Sequence, residues 1–155
     1  EHNLVINEIK KILHPILNHL EICKTPNILK LKNIQHLISK ISGNLKNNIH
    51  ILELIKILHP TPAVAGLPVK EAMQIIEKYE NYNRGWYTGP VGWINKFGDG
   101  DFCVGLRSAL IQNNTIHVFS GGGIVLDSLA DDEWEETELK FKSILTTIES
   151  IENEI

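Results

Sequence analysis

Glu133, Glu136 and Lys140 are the residues whose types and spacing speak most directly of chemistry. They stand at i, i+3 and i+7, one face of a helix. Two carboxylates presented together can share a hard cation, with an ammonium beyond them for an anionic ligand. Magnesium takes one or two carboxylates and keeps several waters, so it suits so sparse a set. The same spacing also describes a solvated acidic face, in which a Glu136–Lys140 pair adds a few tenths of a kcal/mol.

Gly121-Gly122-Gly123 is the second such feature. It is either a tight turn or a place where backbone approaches a ligand and amides hold an anion. No Gly-Lys-Ser/Thr follows it, and it lacks Gly-x-Gly-x-x-Gly spacing, so neither phosphate-loop motif applies. Arg84 and Arg107 are the only arginines beside thirteen lysines. Where lysine serves for bare charge, an arginine is the better candidate for work that needs a planar fork of donors. Arg107, read here within a strand between Leu106 and Ser108, is either an edge charge or a carboxylate fork. Tyr87 lies in a loop entering a strand, and His36 reads as a structural histidine. The other histidines form no metal-ligand spacing, and neither Cys23 nor Cys103 has a His or Cys at a catalytic or zinc spacing.

The elements that must position these groups follow from periodicity. Residues 2–20 carry apolar side chains at helical spacing, with Pro15 set to kink or break the helix. From Ile28 the period becomes two, through Leu29, Leu31, His36 and Ile38, giving one or two strands up to residue 44. Helices are expected over 49–58 and 69–80, separated by a Pro-rich stretch from His59 to Pro68. Strands are expected over 89–94, 102–111 and 116–119, the first two joined through Phe97-Gly98-Asp99-Gly100. A last helix, capped by Asp131 or Asp132, runs to about residue 152. The reading is a single α+β piece, with antiparallel strands in the middle and helices flanking them.

The 155 residues amount to one domain, 43% hydrophobic and 22% charged, an ordinary globular composition. A net charge of -4 excludes a broadly basic nucleic-acid binder. No apolar run approaches the ~20 residues of a membrane span. Two cysteines are too few for a disulfide scaffold, so the cytoplasm is expected.

Five strings in order give the sequence a family resemblance: residues 59–66 (HPTPAVAG), 84–93 (RGWYTGPVGW), 106–109 (LRSA), 121–125 (GGGIV) and 133–140 (EWEETELK). They resemble the chorismate-utilising enzymes, and within them the isochorismate synthases of menaquinone biosynthesis. Glu1-His2 resembles that family's Glu-His pair at the head of a helix. The resemblance implies the C-terminal portion of the chorismate-binding, anthranilate synthase component I-like fold, and an enzyme that isomerises chorismate to isochorismate with Mg²⁺. It implies metal binding by Glu1 and Glu136, with Glu133 near the metal, often through water. Tyr87 and Arg107 match residues that grip a chorismate carboxylate, and Lys140 lies on the same side. Gly121 and Gly123 match glycines whose amides face the substrate. His36 matches a residue lining the pocket, and Ala63 stands in the loop that selects the nucleophile. Gly122 departs from the family's usual Ala.

The family's catalytic lysine and glutamate lie upstream of the Glu-His pair, at which this sequence begins. The expectation is therefore a partial catalytic domain over residues 1–155 that lacks its N-terminal portion and the general base and acid. Its partner would be that portion, and apolar side chains such as Ile9, Ile16, Ile51 and Ile55 would face water without it. The alternatives are a salicylate synthase, an anthranilate or aminodeoxychorismate synthase, or a non-catalytic remnant. The His-Pro-Thr-Pro-Ala string favours water as nucleophile over the aminating enzymes.

Overall fold

Pro15 decides the first boundary. It has no amide donor and its ring clashes with the preceding turn. Helix α1, His2–Leu13, accordingly stops ahead of it, and strand β1 follows at Leu17–Ile22. The helix expected over residues 2–20 is thus corrected to a helix and a strand. Apolar side chains in β1 satisfy either period, and pairing with a distant strand chooses the extended form. These elements belong to a computed structural model that describes residues 2–23, 25–30 and 35–152. Glu1 and Leu31, both used above, lie outside the described residues.

The described chain folds as two compact units. The first comprises Glu1–Glu80 and Gly92–Asp101. Its strands β2 (Asn27–Lys30), β3 (Gln35–Ile38) and β4 (Ile41–Leu45) replace the one or two expected. β1 pairs antiparallel with β4, placing Ile22 opposite Ile41, and β2 pairs antiparallel with β3, placing Leu29 opposite His36. Helix α2, Ile51–Leu58, opens where His50 Nδ1 accepts a hydrogen bond from the Leu52 amide at 3.2 Å. The short helix α3, Pro62–Ala65, starts on a proline, which needs no amide partner in a first turn. Helix α4 spans Val69–Tyr79. α3 packs against α1 and α4, and Ala65 is completely buried.

The second unit comprises Asn81–Val91 and Phe102–Ile155. Strands β5, Pro90–Ile94, and β6, Gly100–Val104, pair as a ribbon whose Gly92–Asp101 part is grouped with the first unit. Its turn is closed by Asn95, whose Oδ1 accepts from the amides of Phe97 (2.8 Å) and Asp99 (3.1 Å). The single strand expected over 102–111 is corrected to two, because the chain bends at residues 105–107 before β7, Ser108–Gln112. Arg107 therefore stands at a bend and not within a strand. β7 pairs antiparallel with β8, Thr115–Phe119, around the turn Asn113-Asn114. Helix α5, Ala130–Glu152, begins ahead of Asp131 and Asp132, so both lie in its first turn. There they complement the helix dipole instead of capping it.

Among the described residues each sheet is a two-stranded ribbon, an arrangement that is marginal unless its apolar face is covered. Leu17, Ala65 and Tyr87 are the buried hydrophobic residues among those described. Ile9, Ile16, Ile51 and Ile55 are half-buried rather than facing water. The exposed apolar side chains are others, among them Ile28, Leu29, Leu52, Trp86, Leu126 and Trp134. No described helix is long and apolar enough to cross a membrane.

Candidate active site

The site is built in the second unit, from a turn, a strand end, a glycine loop and the first turns of α5. The turn at residues 84–89 is tied locally: the Tyr87 amide donates to Arg84 O (2.8 Å) and the Gly89 amide to Trp86 O (3.0 Å). It is tied again to the segment before β7. The Thr88 amide donates to Gly105 O and the Gly105 amide to Gly89 O, both at 2.8 Å. Two non-glycine residues flank this knot with left-handed backbone, Thr88 at φ 64° and Arg107 at φ 47°. Such a conformation costs about 1–2 kcal/mol in an L-residue and persists where the surrounding structure imposes it. Outside ordinary turns, residues so held cluster at ligand sites and switch regions. One knot thus fixes the backbone beside both Tyr87 and Arg107.

Tyr87 is 8% exposed. Its ring stacks on Phe119 at the end of β8, with centroids 5.5 Å apart and planes at 21°, and the Arg84 guanidinium lies 5.9 Å from its centroid. The Tyr87 hydroxyl reaches the glycine loop that follows β8. A Cβ on Gly121 would lie 3.0 Å from that oxygen, so the close approach itself calls for glycine.

From the other side Lys140 holds the loop. Its Nζ donates to Gly121 O at 3.1 Å and to Glu136 Oε1 at 2.8 Å. Glu133, one turn earlier on α5, has Oε1 bound by the Ser128 hydroxyl at 2.5 Å. Its Oε2 lies 3.0 Å from where a Cβ on Gly122 would stand. The departure from Ala at 122 therefore leaves space that the Glu133 carboxylate fills. Among the described residues the amides of Gly121, Gly122 and Gly123 donate no hydrogen bond within the chain. These exposed donors are left to solvent or to a ligand.

The structure thus brings together Tyr87, the Gly121 to Gly123 loop, Glu133, Glu136 and Lys140, and places Arg107 at the knot that carries Tyr87. His36, on β3, and Ala63, on α3, are exposed residues of the first unit. Glu1, the third expected carboxylate, lies outside the described residues. Among the described residues no cluster of three or more His, Cys, Asp or Glu side chains is arranged to hold a metal. Glu133 and Glu136 offer a hard, oxygen-only pair, and this donor set fits a magnesium ion that retains most of its waters.

Three serines escaped the sequence reading. Ser128 ties the loop to Glu133; its pairing with Asp131 three residues on has the spacing of a helix-start pattern and pointed to it. The hydroxyls of Ser108 and Ser120 are buried without a hydrogen-bond partner among the described residues. They neighbour Arg107 and Gly121 in the chain, and no spacing marks them, because only burial makes them notable.

Comparison with known proteins identifies the family. The family model described as chorismate binding enzyme matches residues 1–149, and the chain belongs to that family. It is 38% identical to isochorismate synthase MenF of Bacillus subtilis over 96% of this chain and 31% of that protein. It is 40% identical to the salicylate biosynthesis isochorismate synthase of Pseudomonas aeruginosa over 97% of this chain and 32% of that protein. A crystal structure described as a 2,3-dihydroxybenzoate-specific isochorismate synthase, DhbC, from Bacillus anthracis superposes with a TM-score of 0.89 at 36% identity, covering 95% of this chain and 40% of that one. Anthranilate synthase component I of Streptococcus pneumoniae superposes with a TM-score of 0.83 at 27% identity, covering 92% and 33%. The α+β architecture is common to them. The chain spans about a third of the length of the curated relatives it matches, corresponding to their C-terminal part.

Proposed function

We propose that this chain contributes the metal- and carboxylate-binding part of an isochorismate synthase, which isomerises chorismate to isochorismate for menaquinone or siderophore biosynthesis. The observation that carries the reading is the meeting of Tyr87, the glycine loop, Lys140 and the Glu133–Glu136 pair in one unit, in a chain whose relatives bear that name. Chorismate is a dicarboxylate. An arginine fork at Arg107, the Tyr87 hydroxyl, the Lys140 ammonium and open backbone amides are groups suited to one carboxylate. Glu133 and Glu136, with Glu1, would hold Mg²⁺, which when bound neutralises the other carboxylate. His36 and Ala63 are proposed to line the pocket. Cys23 and Cys103 are both exposed free thiols, which suits a reducing compartment, and we place the protein in the cytoplasm.

The reaction adds water at one ring carbon and expels hydroxide from another, so atoms balance without a co-reactant. It needs a base for the water and an acid for the leaving hydroxyl, each worth roughly 10²–10⁴-fold. Neither is assigned to residues 1–155. We propose that polypeptide equivalent to the remaining two thirds of the relatives supplies both, and that the 155 residues alone bind but do not turn over. The test replaces the matching C-terminal third of the Bacillus subtilis enzyme with this chain and follows chorismate by chromatography. Isochorismate formation by the hybrid, dependent on Mg²⁺, is the expected result. A folded hybrid that makes anthranilate, or that binds chorismate no better than the truncated enzyme, overturns the reading. Binding of chorismate to the 155-residue chain by calorimetry gives a second readout that does not require the hybrid to fold.

A further inference from the structure

Ser128 is fixed from two directions. Its amide donates to Val125 O at 3.0 Å, and its Oγ accepts from the Val125 amide at 3.1 Å. With that lone pair engaged, the hydroxyl proton points to its remaining near neighbour, Glu133 Oε1, at 2.5 Å. An O–H···O⁻ bond of this length is among the stronger hydrogen bonds in proteins. The other oxygen of the same carboxylate occupies space beside Gly122, where a Cβ would come within 3.0 Å, tighter than nearly all real Cβ contacts. Thr137 Oγ1 lies 3.9 Å from the same point. Ser128 therefore restrains one Glu133 oxygen, and Gly122 leaves room for the second.

We infer that Ser128 is a positioning residue for Glu133, setting its carboxylate for a divalent cation although it does not bind the ion itself. This deepens the reading above and rests on Glu133 serving a metal. A half-buried glutamate without such restraint samples several rotamers, and each rotamer lost on binding lowers affinity. Partners that orient a ligating carboxylate commonly change metal affinity by 10–100-fold when removed.

The test measures Mg²⁺ binding to the chain by calorimetry, with far-UV circular dichroism as the check on folding. Ser128→Ala is expected to raise the Kd about tenfold or more, while Ser128→Thr, which keeps the hydroxyl, stays within about threefold of the parent. Equal Kd values for the parent and Ser128→Ala overturn the inference while leaving the metal reading intact. So does a Ser128→Thr variant as weak as Ser128→Ala, since the hydroxyl is then not the cause. Absence of Mg²⁺ binding by the parent chain overturns both.

Discussion

Arg107 offers a substitution whose effects on stability and on binding are expected to point in opposite directions. Its backbone sits at φ 47°, a conformation that costs an L-residue about 1–2 kcal/mol and a glycine almost nothing. Against that gain, glycine loses more chain entropy on folding, about 0.5–1 kcal/mol. Arg107→Gly is therefore expected to leave stability unchanged or raised by up to about 1.5 kcal/mol, although it deletes a large half-buried side chain. Arg107→Lys keeps both the strain and the charge and removes only the planar fork. Losing a bidentate, charge-assisted pair is worth roughly 1.5–3 kcal/mol, or about 10–100-fold in the Kd for chorismate. Both variants are expected to bind chorismate weakly, measured by calorimetry with Mg²⁺ present, while urea denaturation reports their stability. A Arg107→Lys variant that binds like the parent removes Arg107 from the site. A Arg107→Gly variant destabilised by more than about 1 kcal/mol shows that the side chain serves the fold, and refutes the argument from strain.

Two further predictions concern the glycine loop and its lysine. The Lys140 ammonium, 2.8 Å from Glu136 Oε1, repels a cation held by that carboxylate; at about 5 Å in water this repulsion is roughly 1.7 kcal/mol, trimmed by 0.1 M salt to about 1 kcal/mol. Lys140→Met should accordingly tighten Mg²⁺ about fivefold in calorimetry while weakening chorismate, and an unchanged Mg²⁺ affinity would separate Glu136 from the metal. Gly121→Ala sets a Cβ 3.0 Å from the Tyr87 hydroxyl, and the ring cannot retreat easily from its stack on Phe119. A destabilisation of about 1 kcal/mol is expected, measured by thermal melting, and it should vanish in a Tyr87→Phe background; persistence there would mean that the strain lies elsewhere in the loop.

Local features of this protein are legible in its residues. The i, i+3, i+7 placement of Glu133, Glu136 and Lys140 needs only helix geometry, and the Glu136–Lys140 pair is observed at 2.8 Å. The turns at Asn113-Asn114 and at residues 95–99 also follow from local chemistry, because Asn tolerates left-handed backbone and bonds its own chain. The ordered strings of residues 59–66, 84–93, 106–109, 121–125 and 133–140 were enough to recognise the family. What those strings could not show is which residues meet. Residues 17–22 carry apolar side chains compatible with a helix, and only the pairing of β1 with β4 makes them a strand. Arg107 looks like any strand residue until the Thr88–Gly105 knot bends the chain and forces its φ positive. Tyr87 touches the loop at Gly121, and Ser128 reaches Glu133, through contacts that depend on how β8 and α5 pack. Helix and turn preferences are short-range energies set by neighbours in the chain; side-chain convergence and burial are set by packing between segments far apart in it, and so the site's geometry appears only in the folded molecule.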